Sequence, residues 1–115
     1  MLTLNEILED NATLEEDEAR LRHAMRCSPF IQRLLFSDAA LLPNLLQNLH
    51  QPWTKRAMRD WLLKQEVVDE VTLKRALRKL RQQVVLRTIV RDLSGLADLN
   101  EVMQVMTHLA EITVQ

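Results

Sequence analysis

Apolar residues recur along this chain at intervals of three and four, the period of a helix that buries one face, and no stretch alternates residue by residue as a half-buried strand does. The longest such run is TLKRALRKLRQQVVLRTIVRDL, Thr72 to Leu93, which contains neither Gly nor Pro and stops just short of Gly95, the single glycine. Its 22 residues predict one rod. At about 1.5 Å rise per residue that rod reaches roughly 33 Å, the width of a small domain. With about 100° of turn per residue, Leu73, Ala76, Leu77, Leu80 and Val84 share one stripe, whereas Val85, Leu86, Ile89, Val90 and Leu93 move to roughly the opposite side. Arg87 and Arg91 continue the line of the first stripe. The two halves of the helix are therefore expected to meet different neighbours. If the two guanidiniums are buried they need carboxylate partners; otherwise they stay wet, in a cleft or at a surface awaiting another domain.

Shorter helices are expected on both sides of this rod. An apolar-acidic opening (Leu2, Leu4, Ile7, Leu8) has no firm cap. Thr13 with Glu16 has capping-box spacing and predicts a helix from about Leu14 to Arg26. Ser28-Pro29 repeats a start signal for a helix to about Phe36, and Pro43 opens another through Leu45, Leu46 and Leu49 after a turn. The break His50 to Thr54 precedes a helix to about Gln65 that sets Trp61 in the core, and Asp69 or Thr72 caps the long helix. After Gly95, Asp98 and Glu101 start a last helix. Its core face is read as Leu99, Val102, Met103, Met106, Leu109 and Ala110. Val105, Ile112 and Val114 fall outside that stripe and call for a further cover. The fold class is all-α, with five to six helices packed around residues 72–93 in a single domain, 1–115, and the last helix antiparallel to the long one.

Charge changes this picture locally. The net charge is −1, yet Glu6 to Glu18 holds seven acids and no base, while Thr72 to Arg91 holds seven bases and no acid. The simplest use of this asymmetry is internal pairing of an acidic first helix with the basic long one. A phosphate-binding face is the alternative, although aromatics total 3% with no Tyr and the domain has no basic excess, which disfavours nucleic acid. No apolar run reaches the length of about 18 residues that a membrane span requires. Cys27 stands alone and no cleavable leader opens the chain, which points to a soluble protein of the reducing cytoplasm.

Candidate chemistry is sparse. His23, His50 and His108 lie far apart and none stands in ligand spacing with Cys27, so no metal site is expected. Cys27 is read as inert, since no nucleophile motif surrounds it. One glycine excludes every glycine-rich phosphate loop. No catalytic, cofactor-binding or metal residue is predicted.

The stretch LRKLRQQVVLRTIVRDLSGLADLNEVMQVMTHLAEI, Leu77 to Ile112, resembles the helical segment of glutamine synthetase adenylyltransferase. The matching elements are an LRxxR unit (Leu77, Arg78, Arg81), then Arg87, Arg91, Asp92, Leu93 and Gly95, then Leu96 to Val102, and a close at Leu109, Ala110 and Glu111. Upstream, SPFIQRLLFSDAALLPNLL resembles the start of the same segment, so the likeness covers residues 28–112. It implies an enzyme that moves an adenylyl group from ATP to a tyrosine of glutamine synthetase, and removes it, using two nucleotidyltransferase domains and Mg²⁺. The family's Gly-Met-Gly-Lys-Leu-Gly-Gly run and Ser-Asp-x-Asp pair follow the last helix and are absent from residues 1–115. The resemblance thus implies a non-catalytic N-terminal helical part that holds neither Mg²⁺ nor ATP. Its partner would be a nucleotidyltransferase domain of the same enzyme, or glutamine synthetase. Arg87, Arg91, Asp92, Arg78 and Arg81 are the interface candidates. A stand-alone helical adaptor is the alternative, and a small nucleic-acid binder using the Lys74 to Arg91 face a third.

Overall fold

A computed structural model describes residues 4–114, with side chains from 14 to 113. Six helices follow one another: α1 Leu4–Cys27, α2 Pro29–Ser37, α3 Leu41–Asn48, α4 Lys55–Leu63, α5 Glu70–Leu93 and α6 Leu99–Val114. No strand occurs among the described residues, and the long rod is a single unbroken helix, α5.

The helix ends follow their local chemistry. Ser28 Oγ accepts from the Ile31 N–H at 3.4 Å and Thr54 Oγ1 from the Ala57 N–H at 3.1 Å, each satisfying an amide that the first turn leaves free. At the start of α5, Asp69 Oδ1 accepts from the Thr72 N–H at 2.8 Å while Thr72 Oγ1 accepts from the Asp69 N–H at 3.1 Å. The Thr72 amide and then its hydroxyl hold the Asp69 carboxyl below its ordinary range. At the other end the Leu96 N–H donates to the Arg91 carbonyl at 2.8 Å and the Gly95 N–H to that of Asp92 at 3.1 Å. This pairing closes a helix on a left-handed residue, and Gly95 has φ 75°.

Two apolar clusters form the interior, and α5 belongs to both. One face of it gives Leu80 and Val84 to a cluster with Trp53, Met58 of α4, and Val105, Leu109 and Ile112 of α6. Toward its C-terminal end another face gives Leu86 and Val90 to a cluster with Leu21 and Ala24 of α1, Ile31 and Leu34 of α2, and Leu41, Leu45 and Leu49 from α3 and its end. The face switch expected from the sequence is thus present, except that Val85 packs against the first cluster rather than the second and Leu73 is 40% exposed. α6 folds back on α5, since Arg91 meets Glu101 beside the turn while Leu80 and Val84 lie among Val105, Leu109 and Ile112.

Four expectations need correction. The spacing of Thr13 and Glu16 starts no helix, because the backbone is already helical from Leu4, and a capping residue must stand outside the helix. The side chains of Leu4, Ile7, Leu8 and Val114, and all of Leu2, lie outside the described residues. In α6 the covered face is Val105, Leu109 and Ile112, whereas Leu99, Met103 and Met106 are 72%, 60% and 37% exposed. Both sets keep helical spacing, and α4 and α5 reach only the first. Trp61 is half-buried at the margin of the second cluster; it is Trp53, in the supposed break, that is buried. The acids of α1 that are described do not pair with α5. Glu16 and Glu18 face Arg20 and Arg22 on their own helix. Asp17 is buried and bonds Arg20 Nη1 and His50 Nε2, each at 2.8 Å. What the described part of α1 presents to α5 is Leu21 and Ala24, an apolar contact, while the side chains of Glu6, Glu9 and Asp10 lie outside the described residues.

Candidate functional site

The arginine line of α5 divides into a buried pair and an exposed pair. Arg91, 5% exposed, sits where the end of α3, the α5–α6 turn and the start of α6 converge. Its Nε donates to Glu101 Oε2 and its Nη2 to Glu101 Oε1, both at 2.9 Å, while Nη1 donates to the Leu49 carbonyl at 2.7 Å and Nη2 to that of Leu96 at 3.1 Å. A planar fork meets a carboxylate face on and two carbonyls at its edges. Asp98 caps α6 through the Glu101 N–H at 2.8 Å, as the spacing predicted. The Glu101 carboxylate, which a full capping box would turn back on the Asp98 amide, serves Arg91 instead.

One turn earlier, Arg87 is 7% exposed and has no carboxylate among the described residues. Its Nη2 donates to Asn44 Oδ1 at 3.2 Å, and the guanidinium carbon lies 4.3 Å from the ring centroid of Trp53. Desolvation, and then the positive charge of Arg91, pull its pKa down to about 10, so it remains charged at neutral pH. Cation–π attraction and the Asn44 oxygen offset part of the cost of burial. The Trp53 indole N–H is itself buried with no acceptor among the described residues, so this tryptophan works through its ring face. Neither Asn44 nor Trp53 was identifiable from periodicity, because both stand outside the stripes and meet Arg87 only through the tertiary fold.

Arg78, Arg81 and Asp92 are exposed. Arg78 and Arg81 flank a groove between α2 and α5, apart from the buried pair. The structure thus brings Arg87 close to Arg91 and leaves Arg78 and Arg81 on a separate surface. At the other end of α6, Lys55 pairs with Glu111 and holds the Glu111 carboxyl below its usual range.

Asp98 and Glu101 are the carboxylates lining the pocket beside Trp53 and His108, and both are committed, one to a cap and one to Arg91. No group of three or more His, Cys, Asp or Glu among the described residues is placed to hold a metal ion. Cys27 is exposed and free. No helix among the described residues is long and apolar enough to cross a membrane.

Comparison with known proteins agrees with the resemblance. The family model for glutamate-ammonia ligase adenylyltransferase matches residues 18–115. Curated relatives include the bifunctional glutamine synthetase adenylyltransferase/adenylyl-removing enzymes of three bacteria. That of Nitrosomonas eutropha is 46% identical over 90 residues, which is 76% of this chain and 10% of the relative. That of Aromatoleum aromaticum is 45% identical over 95 residues, 83% of this chain and 10% of the relative. In Chromobacterium violaceum the figures are 37% over 101 residues, 84% and 11%. No solved structure matches. The chain spans about a tenth of the length of the curated relatives it matches. With the family model matching residues 18–115 and these relatives 37–46% identical over most of its length, the chain belongs to the glutamate-ammonia ligase adenylyltransferase family.

Proposed function

We propose that this chain acts as the helical, non-catalytic part of an enzyme that adds adenylyl groups to glutamine synthetase and removes them. It supplies a docking surface for the nucleotidyltransferase portion of that enzyme, which would hold ATP and Mg²⁺. The work belongs in the cytoplasm, and the exposed thiol of Cys27 is compatible with a reducing compartment.

One observation carries the reading. Leu99, Met103 and Met106 form an apolar stripe of α6 that is exposed, while the flank of the same helix about a third of a turn away, Val105, Leu109 and Ile112, is covered by α4 and α5. A helix with two apolar faces is built to lie between two bodies, and this chain supplies one. Asn100, Gln104 and Thr107 beside the stripe carry no charge, as suits a contact that excludes water.

The test is a chimera of the full-length Nitrosomonas eutropha enzyme in which this chain replaces the matching segment. The chimera should modify glutamine synthetase. Leu99→Glu with Met103→Glu should lower its melting temperature or its activity, while changing the stability of the isolated chain by no more than about 0.5 kcal/mol, as exposed substitutions do. A double variant that leaves the chimera unaltered removes the proposal.

A further inference from the structure

The groove between α2 and α5 combines two properties that its place in the fold does not require. Phe30 and Leu34 of α2 and Val85 and Ile89 of α5 give it an apolar floor, Arg78 and Arg81 stand at its rim, and its volume is about 520 Å³. Phe30 is 42% exposed, a large ring left in water beside aliphatic neighbours. Neither bordering surface offers a negative charge. α2 contains no acid, and α5 contains none from Val71 to Arg91. The ion pairs of α5 are Lys74 with Glu70 and Arg91 with Glu101, so Arg78 and Arg81 have no carboxylate among the described residues. They stand three positions apart on one face, where like charges repel until something counters them.

We propose that this groove receives an amphipathic helix of a partner protein, its apolar stripe on Phe30, Leu34, Val85 and Ile89 and its carboxylates against Arg78 and Arg81. Phe30 with Leu34 and Val85 with Ile89 are each spaced by four, so they raise two ridges with a trough between, the relief into which the side-chain ridge of a third helix fits. The guanidiniums at the rim fix orientation and favour an acidic partner over a neutral one. Three of the four floor residues are aliphatic and Phe30 is the one ring, a composition that suits leucine or isoleucine better than a run of nucleotide bases, which needs successive stacking platforms. No residue of α6 lines the groove, so this surface is independent of the Leu99 to Met106 stripe.

The full chain, labelled with ¹⁵N, is titrated with a synthetic amphipathic peptide of about four turns, leucines along one stripe and glutamates on both flanks, and with its glutamine counterpart. The acidic peptide should shift the amides of Val85 and Ile89, and its affinity should fall as salt rises. Arg78→Glu with Arg81→Glu, both at exposed positions, should weaken binding by about tenfold or more with an unchanged thermal melt. Equal binding of the glutamine peptide, salt-independent binding, or no shift at Val85 and Ile89 overturns the proposal. So does a polyuridylate oligonucleotide that produces the same shifts with tighter binding, because the groove would then be a polyanion site. Self-association in sedimentation that Phe30→Ser abolishes overturns it as well, assigning the groove to a second copy of the chain.

Discussion

Arg87 and Arg91 stand one turn apart on the same face of the same helix, are equally withdrawn from water, and sit in opposite kinds of surroundings. Around Arg91 a carboxylate and two carbonyls meet the guanidinium with four hydrogen bonds. Around Arg87 there are one amide oxygen and the face of an indole. Burial alone therefore does not tell what an arginine is for. Arg91 is a fastener of this fold, whereas Arg87 is a charge accommodated at a cost, its guanidinium pulled down to about 10 by the desolvation that its neighbours do not fully compensate.

The contrast can be broken most directly by exchanging each guanidinium for a thioether of similar length. Arg91→Met should cost about 3 kcal/mol, because Glu101 and the Leu49 and Leu96 carbonyls lose their donor together; a shift in the urea midpoint at constant slope measures it. Gly95→Ala should cost about 1 kcal/mol. Nothing lies within 4 Å of the added carbon, so the loss comes from φ 75° alone, and it weakens the turn that delivers the Leu96 carbonyl to Arg91. Arg87→Met should stay within about 1 kcal/mol of the parent or stabilise it, since a flexible apolar side chain over Trp53 removes a desolvated charge. If Arg87→Met proves as damaging as Arg91→Met, the contrast fails.

The smallest effect lies at the far end of α5 and depends on pH. The folded-state pKa of Asp69 is lowered from 3.8, so the share of stability it contributes is present above that value and is lost as pH falls through the folded one. Circular dichroism of the parent and of Asp69→Asn between pH 7 and pH 2 should show the parent losing helix more steeply at the acid end. Parallel curves would mean that the cap does not hold the helix start.

Much of this architecture was legible where a residue type has a single structural use. Ser28-Pro29, Thr54 and Asp69 with Thr72 marked helix starts because their side chains satisfy free amides, and the drift of apolar residues around α5 announced its two sets of neighbours. Periodicity failed in α6 because it reports that a face is apolar, not which body covers it. Of the expected stripe Leu99, Val102, Met103, Met106, Leu109 and Ala110, the interior took Leu109, together with Val105 and Ile112 from outside it, and left Leu99, Met103 and Met106 exposed. The candidate site was only half legible for a related reason. That Arg87 and Arg91 align with a core stripe follows from 3.6 residues per turn, but Asn44, Trp53 and Glu101 reach them through loops and helix crossings that no local pattern encodes. Asp17 escaped notice as one acid in an acidic run, although it is the buried one, tied to His50 beyond α3.

The bonds of Arg91 also make it a proofreader of assembly. Its Nη1 reaches the Leu49 carbonyl, 42 positions back in the chain, only when the end of α3 stands at its native height against α5. A chain in which α3 docks one turn away could still bury leucines, and the apolar energy alone would penalise the slip weakly. It would, however, strand a positive charge beside an unsatisfied carbonyl in a dry place. The guanidinium thus converts a small difference in packing into a large difference between the right register and the wrong ones.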